Sequence, residues 1–212
     1  MPFLAINVMK KILILLLLIS LLFLDGCHSK SPPQNLQNVC EIFQQYPEWF
    51  WAAKTTRHRF GIPISVQMAI IYQESHFNSH AEPPRQRLLG FILWFRPTSA
   101  SGYAQAVDGT WRRYLKAIGK LSGNRNDFSD AIYFIGWYAN LAHIKLGISK
   151  TDAFSIYLAY HEGIKGFRKK TYRHNKKLLT LASHQVAKQA HHYRIQLLRC
   201  EPSLPQKPWW KF

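Results

Sequence analysis

The stretch at residues 128–146, FSDAIYFIGWYANLAHIKL, constrains the fold more than any other part of the chain. Phe128, Ile132, Phe134, Ile135, Trp137, Tyr138, Leu141 and Ile144 follow a helical period and leave almost no polar face. A helix that is apolar nearly all round has to be surrounded by other elements. Asn140, His143 and Lys145 argue against a span through lipid. Asp127 and Asp130 offer caps at the start, and Gly147 stops the helix. The rest of the chain must therefore supply apolar surface to coat it.

That surface is also helical in pattern. Ile42, Phe43, Tyr46, Trp49, Phe50 and Ala53 predict a helix over residues 39–58. Val66, Met68, Ala69, Ile70 and Ile71 predict a second, opened by Pro63 or Ser65 and ending near Glu74 and Ser75. Further helices are expected over 108–118, over about 151–160 with Thr151 or Ser149 as cap, and over 175–199. No strand-like alternation and no internal repeat is present, so the fold class is all-α, with a domain over residues 38–200 and a tail over 201–212. Residues 78–106 read as one long irregular segment, and loops of that length usually carry function.

The N-terminus points to a compartment. Lys10 and Lys11 precede an apolar run over residues 12–24, shorter than the roughly 20 residues that cross a bilayer, which reads as a secretory signal. Met9 is a second candidate start. The run ends in Leu24-Asp25-Gly26-Cys27, which resembles a bacterial lipobox, although Asp25 is unusual in that pattern. The resemblance implies cleavage after residue 26, lipid on the thiol of Cys27 and a membrane as partner; an uncleaved anchor helix is the alternative. Residues 27–37 then form a polar, proline-containing tether. By analogy with known lipoproteins, His28 in place of Asp after Cys27 favours the outer membrane, with the domain in the periplasm. If Cys27 carries lipid, Cys40 and Cys200 remain, and in an oxidising compartment they can join the first helix to the last; two free thiols are the alternative.

Lys and Arg number 28 against 11 Asp and Glu, a formal charge of +17, so an anionic partner is expected. Nucleic acid is not, because the chain has no RNP-type aromatic motif and no zinc-finger spacing. His76 and His80, four apart, lack an obvious third ligand, so no metal and no other cofactor is expected.

With so few acids, the catalytic candidates follow by elimination. Glu41 and Glu48 fall on the polar side of the first helix, Asp127, Asp130 and Asp152 fall in helix first turns, and Glu201 is in the tail. Glu74, Glu82, Asp108 and Glu162 remain. Glu74 is the best placed: it follows an apolar turn at a helix C-terminus, and both conditions favour a protonated carboxyl. Such a group is a general acid for glycosidic bonds.

Three segments then carry a resemblance. GIPISVQMAIIYQESHFNSHA at 61–81, GYAQAVDGTW at 102–111 and the two helical segments over 131–163 ending in AYHEG resemble, in order, the motifs of soluble lytic transglycosylase (SLT) domains of the goose-lysozyme-like superfamily. The likeness spans about residues 58–168. It implies a lysozyme-like helical domain that cuts peptidoglycan between N-acetylmuramic acid and N-acetylglucosamine. Glu74 would be the single catalytic acid/base and Ser75 its hydrogen-bonding support. Gly102 and Tyr103 would bring backbone against the saccharide, with Gln105 as a polar contact, and Tyr160 would point its hydroxyl toward Glu74.

The chain departs from the family pattern in three places. Tyr103 and Ala104 replace Leu and Met of the second motif. His161 and Glu162 replace Asn and Ala of the third, which keeps a donor for the sugar and adds a second carboxylate. The gap between Glu74 and Gly102 is longer than the family's and carries LLGFILWF at 88–95, a stretch that could line the groove, meet lipid, hold a partner or fold onto the core. The rival readings are a hydrolytic muramidase using Glu162, and a non-catalytic peptidoglycan-binding component of an envelope or secretion assembly.

Overall fold

The computed structural model describes residues 31–84, 98–173 and 177–209, together with the backbone of 87–88 and 92–93. Seven α-helices run through the described residues: α1 (Val39–Gln45), α2 (Pro47–Phe60), α3 (Ile64–Ser75), α4 (Asp108–Ile118), α5 (Phe128–Leu146), α6 (Ala153–Arg168) and α7 (Lys177–Cys200). The irregular segment before α4 holds one antiparallel ladder, β1 (Arg87–Leu88) with β2 (Ile92–Leu93). None of the helices is long and apolar enough to cross a membrane.

The nearly all-apolar helix is α5, and it is coated as its sequence requires, by α2, α3, α4 and α6. Asp127 caps it by accepting from the Asp130 N–H, and Gly147 ends it in the left-handed region. A second helix is equally enclosed. Every residue of α3 from Ile64 to Ile71 is buried, between α5 on one side and α7 on another. The only large polar side chain in that run, Gln67, donates to the Ile62 carbonyl at 2.8 Å, which offsets the cost of burying its nitrogen, while its Oε1 has no partner among the described residues. Two enclosed helices, rather than one, form the axis of the domain, and α3 is the one that delivers Glu74.

Several boundaries differ from the periodicity. The helix expected over 39–58 is two helices broken at Tyr46, because Pro47 has no N–H to donate and disfavours helical dihedrals in the residue before it. Helix α6 is capped by Asp152, which accepts from the Ser155 N–H at 3.0 Å, while Ser149 and Thr151 bond to each other. It continues past Tyr160 to Arg168, with a break at Gly163 (φ 75°, ψ 160°) that a residue with a side chain would adopt only under strain.

The two ends of the domain are tied down. Residues 31–37, expected as tether, are docked: the Leu36 carbonyl accepts from Tyr193, and Gln37 donates to Tyr72 at 2.7 Å. The tail lies along α2, where Arg57 pairs with Glu201 and Trp51 donates to the Pro205 carbonyl. A disulfide joins Cys40 in α1 to Cys200 at the end of α7. The signal segment, Cys27 and residues 28–30 lie outside the described residues, as do 89–91, 94, 95 and the side chains of 88, 92 and 93.

Candidate active site

A cleft of about 740 Å³ opens where the end of α3 meets the loop before α4 and the far part of α6. Glu74, Gln105, Tyr138, Tyr160, His161 and Glu162 are among its walls. Of the four acids left by elimination it takes Glu74 and Glu162. Asp108 pairs instead with Arg125, and Glu82 is exposed beyond the cleft.

Glu74 arrives in the last turn of α3, after eight successive buried residues. Burial raises its carboxyl from the ordinary 4.5 to about 7, against a hydrogen bond from Tyr157 that favours the ionised form. Tyr157 sits one turn before Tyr160 on the same side of α6. Its own ionisation is pushed up by burial first and by Glu74 second, so it stays a neutral donor. The hydroxyl that reaches the catalytic candidate is thus Tyr157's. Tyr160 lies close enough to Glu74 to feel its charge, but its hydroxyl donates to the Ala104 carbonyl and ties α6 to the GYAQ loop. Tyr157 was absent from the sequence-based site, although its spacing from Tyr160 was the signal that could have found it.

The other expected contacts sort by burial. Ser75 is buried and turns its hydroxyl back onto the Ile71 carbonyl at 3.1 Å, so it stabilises the end of α3 rather than facing a ligand. Tyr103 points into the core, edge-on to Trp49 and Phe128, with its hydroxyl on Ser79. Gly102 brings backbone close, but to protein: a Cβ there would lie 2.2 Å from the Arg125 carbonyl. Gln105 does line the cleft. Its amide nitrogen donates to the Ala81 and Gly102 carbonyls, which leaves Oε1 as the end able to meet a ligand. Glu162 is only 3% exposed at its side chain and accepts from Thr171, while His161 beside it is exposed.

Arg125 organises this wall. One of its nitrogens donates to the Ser99 carbonyl, the Ser101 hydroxyl and the Ala106 carbonyl, and another pairs with Asp108. Its own carbonyl accepts from the Tyr103 N–H. A single guanidinium thus sets the path of residues 99–108 along the cleft. Nothing local marks Arg125, because its partners come from a loop remote in sequence.

A family model described as a transglycosylase SLT domain matches residues 15–200. The chain belongs to that family. No curated protein matches it. The all-α, lysozyme-like fold of the SLT domain agrees with the helices described above. Membership points to a transglycosylase-type enzyme that cleaves glycosidic bonds, with peptidoglycan as the substrate. The SLT domain covers all three motif segments, and Glu74 is the carboxyl that its cleft encloses at the end of α3.

Proposed function

We propose that this SLT domain is a lytic transglycosylase that cuts the bond from N-acetylmuramic acid to N-acetylglucosamine, with Glu74 as its single acid/base. The observation that carries the reading is the half-buried position of Glu74 in the cleft wall, where desolvation raises the pKa of its carboxyl to about 7. A group poised there can give a proton and take one back near neutrality.

Glu74 donates its proton to the glycosidic oxygen as that oxygen leaves C1 of the muramoyl sugar. The N-acetyl carbonyl oxygen stabilises the positive charge that develops at C1. The Glu74 carboxylate then takes the proton of the C6 hydroxyl, and O6 bonds to C1. The product is a 1,6-anhydro ring, no water is consumed, and Glu74 is again protonated. Tyr157 steadies the carboxylate between the two proton transfers.

The single-carboxylate reading gives Glu162 a structural part: it lines the cleft with an enclosed side chain that accepts from Thr171 and so holds the chain that follows α6. Incubation of the chain with purified sacculi, followed by mass spectrometry of the released muropeptides, tests the reading. Anhydro products that vanish with Glu74→Gln support it. Products heavier by one water indicate a muramidase, and retention on sacculi without products indicates a binding component.

The reading includes a location. Cys27 would carry lipid and hold the domain in the periplasm, at the outer membrane. Labelled palmitate incorporated by the wild type but not by Cys27→Ser supports this; equal incorporation overturns it.

A further inference from the structure

Between Gly163 and Cys200 the chain contains no acidic residue. The end of α6, the 3₁₀ turn at Thr171–Arg173 and the start of α7 bring the exposed cations Arg168, Lys169, Lys170, Arg173 and Lys177 to one end of the molecule. None of them is in an ion pair among the described residues. Glu162, the acid just before this stretch in sequence, accepts from Thr171 and is only 3% exposed at its side chain.

Apolar side chains sit among these charges. Leu178 and Leu181 are 82% and 50% exposed, three residues apart on α7 and therefore on neighbouring positions of its surface. Beside them Arg173 and Lys177 rim a hollow of about 490 Å³ whose walls include Phe167 and Tyr172. A cationic rim around exposed leucine and aromatic surface has a specific complement. An anionic lipid headgroup layer supplies phosphates for the cations and an acyl boundary for the leucines. The carboxylates of peptidoglycan stems would use the cations and leave the leucines in water.

We propose that this face, centred on Arg173, Lys177, Leu178 and Leu181, docks the domain onto an anionic phospholipid surface. The face begins one turn beyond Lys165, which lines the cleft, so docking sets the end of the cleft close to the bilayer.

Residues 31–212 form a compact unit that holds the whole core, so the test uses that chain, without lipid or signal segment. Co-sedimentation is measured with vesicles of phosphatidylglycerol and phosphatidylethanolamine, and with phosphatidylcholine vesicles. The wild type is expected on the anionic vesicles only, with binding that weakens as salt rises. Lys169→Glu, Arg173→Glu and Lys177→Glu together should lower partitioning by roughly a hundredfold or more. Leu178→Ser with Leu181→Ser should lower it independently, with the melting temperature of both variants near that of the wild type. The salt series on the wild type needs no variant to fold. Equal binding to neutral vesicles, or variants that bind as the wild type does, overturns the proposal. So does a charge variant that loses retention on sacculi while keeping vesicle binding, because the face then contacts stem carboxylates.

Discussion

The hydroxyl of Tyr157, in the middle of α6, meets the carboxyl of Glu74 at the end of α3 and favours its ionised form. Burial alone would hold the carboxyl higher than about 7; the tyrosine favours the ionised state and partly offsets it. Tyr157→Phe should therefore move the alkaline limb of the pH–rate profile upward, because Glu74 then keeps its proton to higher pH. About a tenfold loss of kcat/KM is expected from the lost orientation of the carboxyl. Tyr160→Phe frees the Ala104 carbonyl instead and should leave the limb in place.

The proton on Glu74 sets the pH range of the wild type. As general acid it acts protonated, so kcat/KM should fall as pH rises through about 7. Glu74→Gln cannot transfer the proton and should lose about a hundredfold to ten-thousandfold in rate at every pH. A profile that stays flat from pH 6 to about 8 would count against Glu74 as the acid.

The same shift predicts a gain in stability on removing the carboxyl. In the unfolded chain Glu74 loses its proton near 4.5, and in the folded chain near 7. The folded state binds the extra proton between those values, so wild-type stability falls as pH rises through that window. The full difference is about 3 kcal/mol, reached above pH 7. Thermal melts of Glu74→Gln and wild type should nearly coincide at pH 4 and separate in favour of the variant at pH 8.

Arg125 fixes the cleft wall without touching Glu74. Arg125→Met should leave the Ser99 and Ala106 carbonyls without their donor, at about 1–3 kcal/mol, and loosen residues 99–108. The expected signature is a rise in KM with an unchanged alkaline limb. Gly102→Ala should give the same signature more severely, because its Cβ meets the Arg125 carbonyl at a positive φ.

Reduction of the Cys40–Cys200 bond releases a loop of 160 residues. Loop closure on that scale stabilises by about 4–5 kcal/mol in the chain-entropy model. Cys40→Ser should lower the free energy of unfolding by about that amount, read as a lower denaturation midpoint at unchanged slope, and reductant should have no further effect on the variant.

Sequence alone determined the features that depend on neighbours along the chain. The burial of α5 followed from an apolar period with no polar face, and its ends followed from Asp127 and Gly147. Glu74 could be singled out because the chain has few acids and six of the others have evident places on a polar helix face, in helix first turns or in the tail. Tertiary structure decided what each polar side chain faces, since that depends on partners from distant segments. Tyr160 and Tyr157 share one side of α6, and only the position of α3 and the GYAQ loop assigns Tyr157 to Glu74 and Tyr160 to Ala104. Tyr103 stands where the family motif has Leu, and only the fold shows that Trp49 and Phe128 enclose its ring. Glu162 reads as an added carboxylate near the cleft, and only the fold shows that its partner there is Thr171. A period in the sequence records which face is apolar, whereas a contact between side chains of α3 and α6 requires two segments to meet, and that meeting exists only in the folded chain.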